Sequence, residues 1–134
     1  MKKQITLIGL LFIATSALLS CKKDTTSLKA RIMGKWIVNK IEVSGYTNQN
    51  LNGTFNYTKD DYMDFKSNND DQVELSLTNQ RTIGNYTTSL GDEFSMIFPE
   101  GASYCTVAMI TSTQFQFTAK IDKTNIVKTY YLTR

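Results

Sequence analysis

Histidine is absent from this 134-residue sequence. Its absence removes the commonest general base, the usual partner of a Ser or Cys nucleophile, and a favoured transition-metal ligand. The two cysteines, Cys21 and Cys105, cannot by themselves complete the ligand set of a structural zinc site. No Gly-x-Gly-x-x-Gly segment, phosphate-binding loop or nucleophile elbow occurs. Lys and Arg are nowhere gathered into a nucleic-acid footprint. The expectation is a protein without catalysis, metal, cofactor or nucleic-acid partner.

Carboxylates are present, and they are unevenly placed. Residues 22–59 carry 7 basic and 2 acidic side chains, 60–100 carry 2 and 9, and 101–134 carry 4 and 1. Asp60, Asp61, Asp64, Asp70, Asp71 and Glu74 gather around one hairpin, and Asp92 and Glu93 occupy another turn. Carboxylate pairs hydrolyse glycosides and oxygen clusters hold calcium. The stretch "NNDDQVE" lacks the spacing and the glycine of a calcium loop, so a solvated acidic turn is the plainer reading.

The amino terminus, "MKKQITLIGLLFIATSALLS", has the anatomy of a targeting signal. Lys2 and Lys3 precede an apolar stretch of 15 residues, Ile5 to Leu19. That length fits a secretory core of roughly 7–15 residues better than a membrane-spanning helix of about 20. Leu18-Leu19-Ser20-Cys21 then resembles the lipobox of bacterial lipoproteins. The resemblance implies cleavage after residue 20 and attachment of lipid to the Cys21 sulfur, with acyl chains such as palmitate holding the protein to a membrane. Two or more chains are needed for stable anchoring. Lys22, rather than Asp, follows the cysteine, which favours the outer membrane of the cell envelope over inner-membrane retention. The reading divides the chain into a signal at 1–20, a lipidated tether at 21–27 and a domain at 28–134. Cys105, in "SYCTVAMI", then behaves as a small buried apolar residue. A Cys21–Cys105 disulfide is the alternative if Cys21 carries no lipid.

Within the domain, Ser27 caps one short helical turn in which Leu28 and Ile32 share a face and Gly34 is the stop. No 3.6-residue period is sustained beyond it. Period-two segments follow instead: "QVELSL" at 72–77, "EFSMIF" at 93–98 and "QFQFTAKI" at 114–121. Turn formers at 67–71, 78–80, 91–92, 99–102, 111–113 and 122–125 separate eight expected strands. These are 35–44, 60–66, 72–78, 82–89, 93–98, 104–110, 114–121 and 126–133. Short loops make antiparallel neighbours, so the expected class is all-β, an eight-stranded antiparallel up-and-down barrel with a short N-terminal helical turn. An open sheet or a two-sheet sandwich reads almost identically. The irregular stretch 44–60 either overhangs one mouth or conceals a further strand at 54–58.

Gly34-Lys35-Trp36, opening the first strand after that turn, resembles the Gly-x-Trp signature of lipocalins, and the layout is similar to the small lipocalin-like domains of Gram-negative lipoproteins. The resemblance implies that Trp36 closes one end of the barrel and that Arg134, after the last strand, stacks over it. It also implies a small apolar ligand inside the barrel, for which Phe94, Phe98, Phe115 and Phe117 are the expected lining. The chain lacks the C-terminal helix and Thr-Asp-Tyr loop of full-sized lipocalins. Trp36 reads equally as a core aromatic, and the seven tyrosines as barrel wall or pocket lining. If side chains fill the barrel, the alternative is an accessory lipoprotein that binds another envelope protein through its loops, 44–60 above all.

Overall fold

The computed structural model describes residues 26–67 and 71–134; the expected signal, Cys21 and Asp70 lie outside the described residues. Helix α1 (Leu28–Ile32) begins at Ser27, whose Oγ accepts the Ala30 N–H at 3.2 Å, and it buries Leu28 and Ile32 against the barrel. Nine strands follow among the described residues: β1 (Gly34–Ser44), β2 (Gly53–Asn56), β3 (Tyr62–Phe65), β4 (Gln72–Leu77), β5 (Gln80–Thr88), β6 (Glu93–Phe98), β7 (Gly101–Ile110), β8 (Gln114–Ile121) and β9 (Val127–Thr133). From β3 to β9 each strand pairs antiparallel with the next, and β9 returns to β1, closing an eight-stranded barrel.

The extra strand, β2, belongs to the same edge of β1 as β3. Residues 34–37 of β1 pair with β3, and residues 40–43 pair with β2. Together β2 and β3 make one returning strand, interrupted at 57–61. Two backbone bonds bridge the interruption: Val38 N–H donates to the Asp61 carbonyl, and Tyr57 N–H to the Asn39 carbonyl, both at 2.9 Å. The further strand weighed for 54–58 therefore exists, at Gly53–Asn56. The turn expected at 78–80 is tighter than its composition suggested. Only Thr78 and Asn79 lie between paired Leu77 and Gln80, and both have positive φ, 50° and 65°. That is the backbone of a two-residue hairpin whose twist matches the strands it joins.

Closure also requires β1 to change its inward parity. Trp36 and Val38 face the interior, and so do Ile41 and Val43, three residues rather than two beyond Val38. The pairing with β9 skips Asn39. An inserted residue of this kind bends the strand and returns the alternation to the interior. Asn39 stays useful on the outside, donating from Nδ2 to Thr133 Oγ1 at 3.0 Å. A second irregularity, at Ala108, does the same for β7.

One end of the barrel is sealed. Trp36 is fully buried, and its Nε1–H donates to the Ile32 carbonyl at 2.8 Å, fixing α1 across the opening. The Arg134 guanidinium lies 3.9 Å from the Trp36 ring centre. It donates from Nη1 to the Met33 carbonyl at 2.8 Å, from Nη2 to the Arg31 carbonyl at 3.4 Å and from Nε to the Ser112 carbonyl at 3.1 Å. Gly34 makes this approach possible: its φ is +108°, and a Cβ there would stand 3.3 Å from Arg134 Nη1. A cation over an indole contributes about 0.5–2 kcal/mol, and the three carbonyl bonds, two at the end of α1 and one on the β7–β8 turn, add to it. Arg134→Ala is therefore expected to lower stability by about 2 kcal/mol. Arg134→Lys should restore less than half of that, since one ammonium cannot reach three carbonyls and stack as well. Urea unfolding curves of the two variants check this, equal midpoints for both contradicting it.

Candidate functional site

The barrel interior divides into a packed half and an open half. Above Trp36 the aromatics form a continuous ladder: Trp36 to Phe115 at 5.3 Å between ring centres, Phe115 to Phe117 at 5.0 Å, and Phe117 to Tyr130 at 4.7 Å in a parallel stack. Phe65, Tyr86 and Phe94 brace it through edge contacts. Ring pairs at these separations and tilts suit the aromatic quadrupole, so this half is a plug and not a cavity. Cys105 is buried and free, and burial pushes its thiol up to about 12, which leaves it an inert apolar filler.

Beyond Tyr130 the packing stops and a cup of about 400 Å³ opens at the far mouth. That lies in the range of small-ligand sites, which is about 300–1,000 Å³. Ile41, Val43, Leu75, Leu77 and Tyr130 form its inner wall and floor. The lip comes from the 45–52 stretch and β2, which contribute Tyr46, Leu51 and Phe55, with Tyr57 beside them. This lip is built, not loose. Tyr46 N–H donates to Asn52 Oδ1 at 2.9 Å, and Asn52 Nδ2 donates back to the Tyr46 carbonyl at 3.0 Å. Residues Gln49–Leu51 form a 3-10 turn capped by the Asn48 side chain. Gly45 (φ +92°) touches the β8–β9 turn so closely that a Cβ would fall 1.8 Å from the Asn125 carbonyl oxygen. Polar groups make up the rest of the lining: Thr78, Gln80, Thr82, Glu100 and Lys128, with the tyrosine hydroxyls. Burial pushes the Tyr130 and Tyr57 hydroxyls upward, so both remain protonated donors at neutral pH.

None of the four phenylalanines expected to line a ligand borders this cup. Phe94, Phe115 and Phe117 are in the plug, and Phe98 is buried in the same core cluster at the upper end of β6. Gly34, Trp36 and Arg134 do come together, at the sealed end. Ile41 and Val43, which line the cup, were not singled out in the sequence, because the parity change at Asn39 breaks the alternation of β1. The signal was there in the spacing of apolar residues along β1, at 36 and 38 and then at 41 and 43.

Four of the clustered carboxylates, Asp61, Asp64, Asp71 and Glu74, are engaged in the fold. Asp61 is buried and accepts the Thr58 N–H at 2.8 Å, the Thr58 hydroxyl at 3.2 Å and the Thr78 N–H at 2.7 Å. It ties the interruption between β2 and β3 to the β4–β5 turn, and these donors hold its carboxyl below the usual range. Glu74, on the outer face of β4, is buried beneath Arg81, Tyr62 and Lys66. It accepts Arg81 Nε–H at 2.9 Å and the Tyr62 hydroxyl, and pairs with Lys66 at 3.3 Å. The arginine and tyrosine bonds lower its carboxyl to about 2. Asp64 pairs with Lys66, and Asp71 with Lys29. Among the described residues no group of three or more Cys, Asp or Glu side chains converges as a metal site.

Compared with protein-family models, with curated proteins and with solved structures, the chain matches none. What the geometry defines by itself is a class: a closed antiparallel barrel, sealed by an indole–guanidinium stack at one end and cupped at the other.

Both anchoring carboxylates have folded values below those of the unfolded chain. Their stabilisation is therefore complete above the unfolded value, near 4, and is lost as pH falls towards about 2. The thermal midpoint should stay level from about pH 8 to 5 and drop steeply below. Asp61→Asn and Glu74→Gln should each melt lower than the native chain at pH 7 but show a shallower acid drop. Parallel acid slopes would contradict the assignment.

Proposed function

We propose that this protein is a lipid-anchored, lipocalin-like binding protein of the cell envelope that takes a small apolar molecule into the cup. The observation that carries the reading is the division of the barrel interior. A barrel that only needed to be stable would be filled throughout, since eight strands leave just enough room for side chains to do so. Here an aromatic plug occupies one half, and the other is a stiffly rimmed recess of about 400 Å³ with an apolar inner wall and polar groups around it. The sealed end supports the family resemblance: Arg134 lies over Trp36 beside Gly34, the arrangement implied by the Gly-x-Trp signature. The missing histidine, and the engagement of Asp61 and Glu74 in the fold, support binding rather than catalysis.

The outer membrane is the proposed address, with Cys21 as the point of lipid attachment. In the producing cells the native chain should incorporate labelled palmitate and sediment with membranes. Cys21→Ser should lose the label and appear in the soluble fraction, and persistent labelling of that variant would sink the lipoprotein reading.

For the cup, native mass spectrometry of protein taken from the envelope, before and after solvent extraction, is expected to show an extra mass that extraction removes. The extracted protein should then bind one equivalent of the neutral fluorophore N-phenyl-1-naphthylamine. Leu77→Trp and Thr82→Trp, which fill the recess without touching the plug, should abolish that binding with little change in melting temperature. Unchanged binding in both variants would rule out the cup as the site.

A second reading has its own observation. Leu51 and Phe55 are 48% and 40% exposed on the lip, an apolar rim suited to an envelope protein partner. Polar substitution of both would release such a partner, whereas Leu77→Trp, inside the recess, would leave the partner bound.

A further inference from the structure

Lys128 interrupts the apolar inner face of β9. Residues 128, 130 and 132 share that face, and Tyr130 and Leu132 are both buried. Lys128 stands opposite Val43 on β1 and Ala119 on β8. Directly opposed residues of antiparallel strands project to the same side, so the lysine belongs to the row that lines the cup, as its position at the wall confirms. Ala119 is buried and short, which leaves lateral room for the four-carbon stem. The five ion pairs among the described residues engage Lys29, Lys40, Lys66 and Arg81, and Lys128 takes part in none. An ammonium in the row that carries Val43, Ala119 and Tyr130 must reach water or an anion, because burying it unpaired is costly.

Lys128 is the one cation among the described residues lining the mouth. Tyr130 and Tyr57 line it with neutral hydroxyl donors. Glu100 is the one carboxylate at its border, and it sits exposed on the β6–β7 turn, off the barrel wall. One lysine on the wall, with Glu100 repelling further negative charge, matches a single negative charge better than a dianionic phosphate.

We propose that the cup selects an apolar monocarboxylic acid, its chain seated against Ile41, Leu75 and Tyr130 and its carboxylate paired with Lys128 Nζ at the mouth. This rests on the cup reading above and adds the class of ligand and the residue that sets it.

The test is displacement of N-phenyl-1-naphthylamine from the purified, extracted full chain by decanoate, decanol and decylamine at pH 7.5. Protein-free samples supply the background. Decanoate is expected to displace at about tenfold lower concentration than decanol, the worth of one charge-assisted pair at a half-buried site. Lys128→Met should erase that ratio while leaving decanol unchanged, which also shows the cup to be intact, and Lys128→Arg should keep it. If Lys128→Met does not fold, Lys128→Gln serves in its place. Equal displacement by acid and alcohol, or tighter binding of the amine through Glu100, overturns the carboxylate proposal and leaves the cup standing. Failure of the fluorophore itself to bind the native chain overturns the cup and this proposal with it.

Discussion

Strand β1 hydrogen-bonds along both edges at once, and the barrel depends on its doing so. One edge carries β9 from Ile37 to Ser44, and the other carries β3 and then β2. A strand so placed leaves no open edge for another chain to extend. Both of its halves must also face their apolar residues inward, which a regular alternation from Trp36 to Val43 would not do. The single residue inserted at Asn39 resolves this, turning Ile41 and Val43 to the inside. The interruption at 57–61 lies against the same point, where it shares backbone bonds with Val38 and Asn39.

From that arrangement the two halves of the interior acquire different jobs. Below the inserted residue, Trp36 and Val38 meet the aromatic ladder and α1, with Arg134 outside as a clamp. Above it, Ile41 and Val43 meet Leu75 and Leu77 from β4 and the lip, and these side chains surround the recess. Stability is concentrated where rings interlock, and the cup has a rigid floor in the Phe117–Tyr130 stack. A recess on a stiff scaffold loses little order when it fills, which favours binding without a large conformational change.

The buried carboxylates serve this division. Asp61 holds the interruption to the β4–β5 hairpin beside the cup. Glu74 gathers Arg81, Tyr62 and Lys66 on the outer face of the β3–β5 sheet, and Lys35 adds its ammonium 3.8 Å above the Tyr62 ring. An acidic segment that looks like a solvent-facing loop in sequence thus supplies two of the anchors of the wall. Composition could not reveal this, because the bonding partners of Asp61 and Glu74 depend on strand register.

The order of elements was legible in the sequence: the Ser27-capped turn, the eight barrel strands and most turns follow from alternation and from turn-forming residues. The missing histidine bounded the chemistry, and the juxtaposition of Gly34, Trp36 and Arg134 was an expectation of the resemblance carried by the Gly-x-Trp motif. Depth was not legible. Alternation says that Phe94, Phe115 and Phe117 point inward but carries no information about height along the barrel axis. Only the stagger of paired strands places those rings in the plug and leaves Ile41, Leu75, Lys128 and Tyr130 around the recess. Inside or outside is a local property of a pleated strand with period two. Plug or cup is a property of how eight strands slide past one another when they close, and tertiary structure alone decides it.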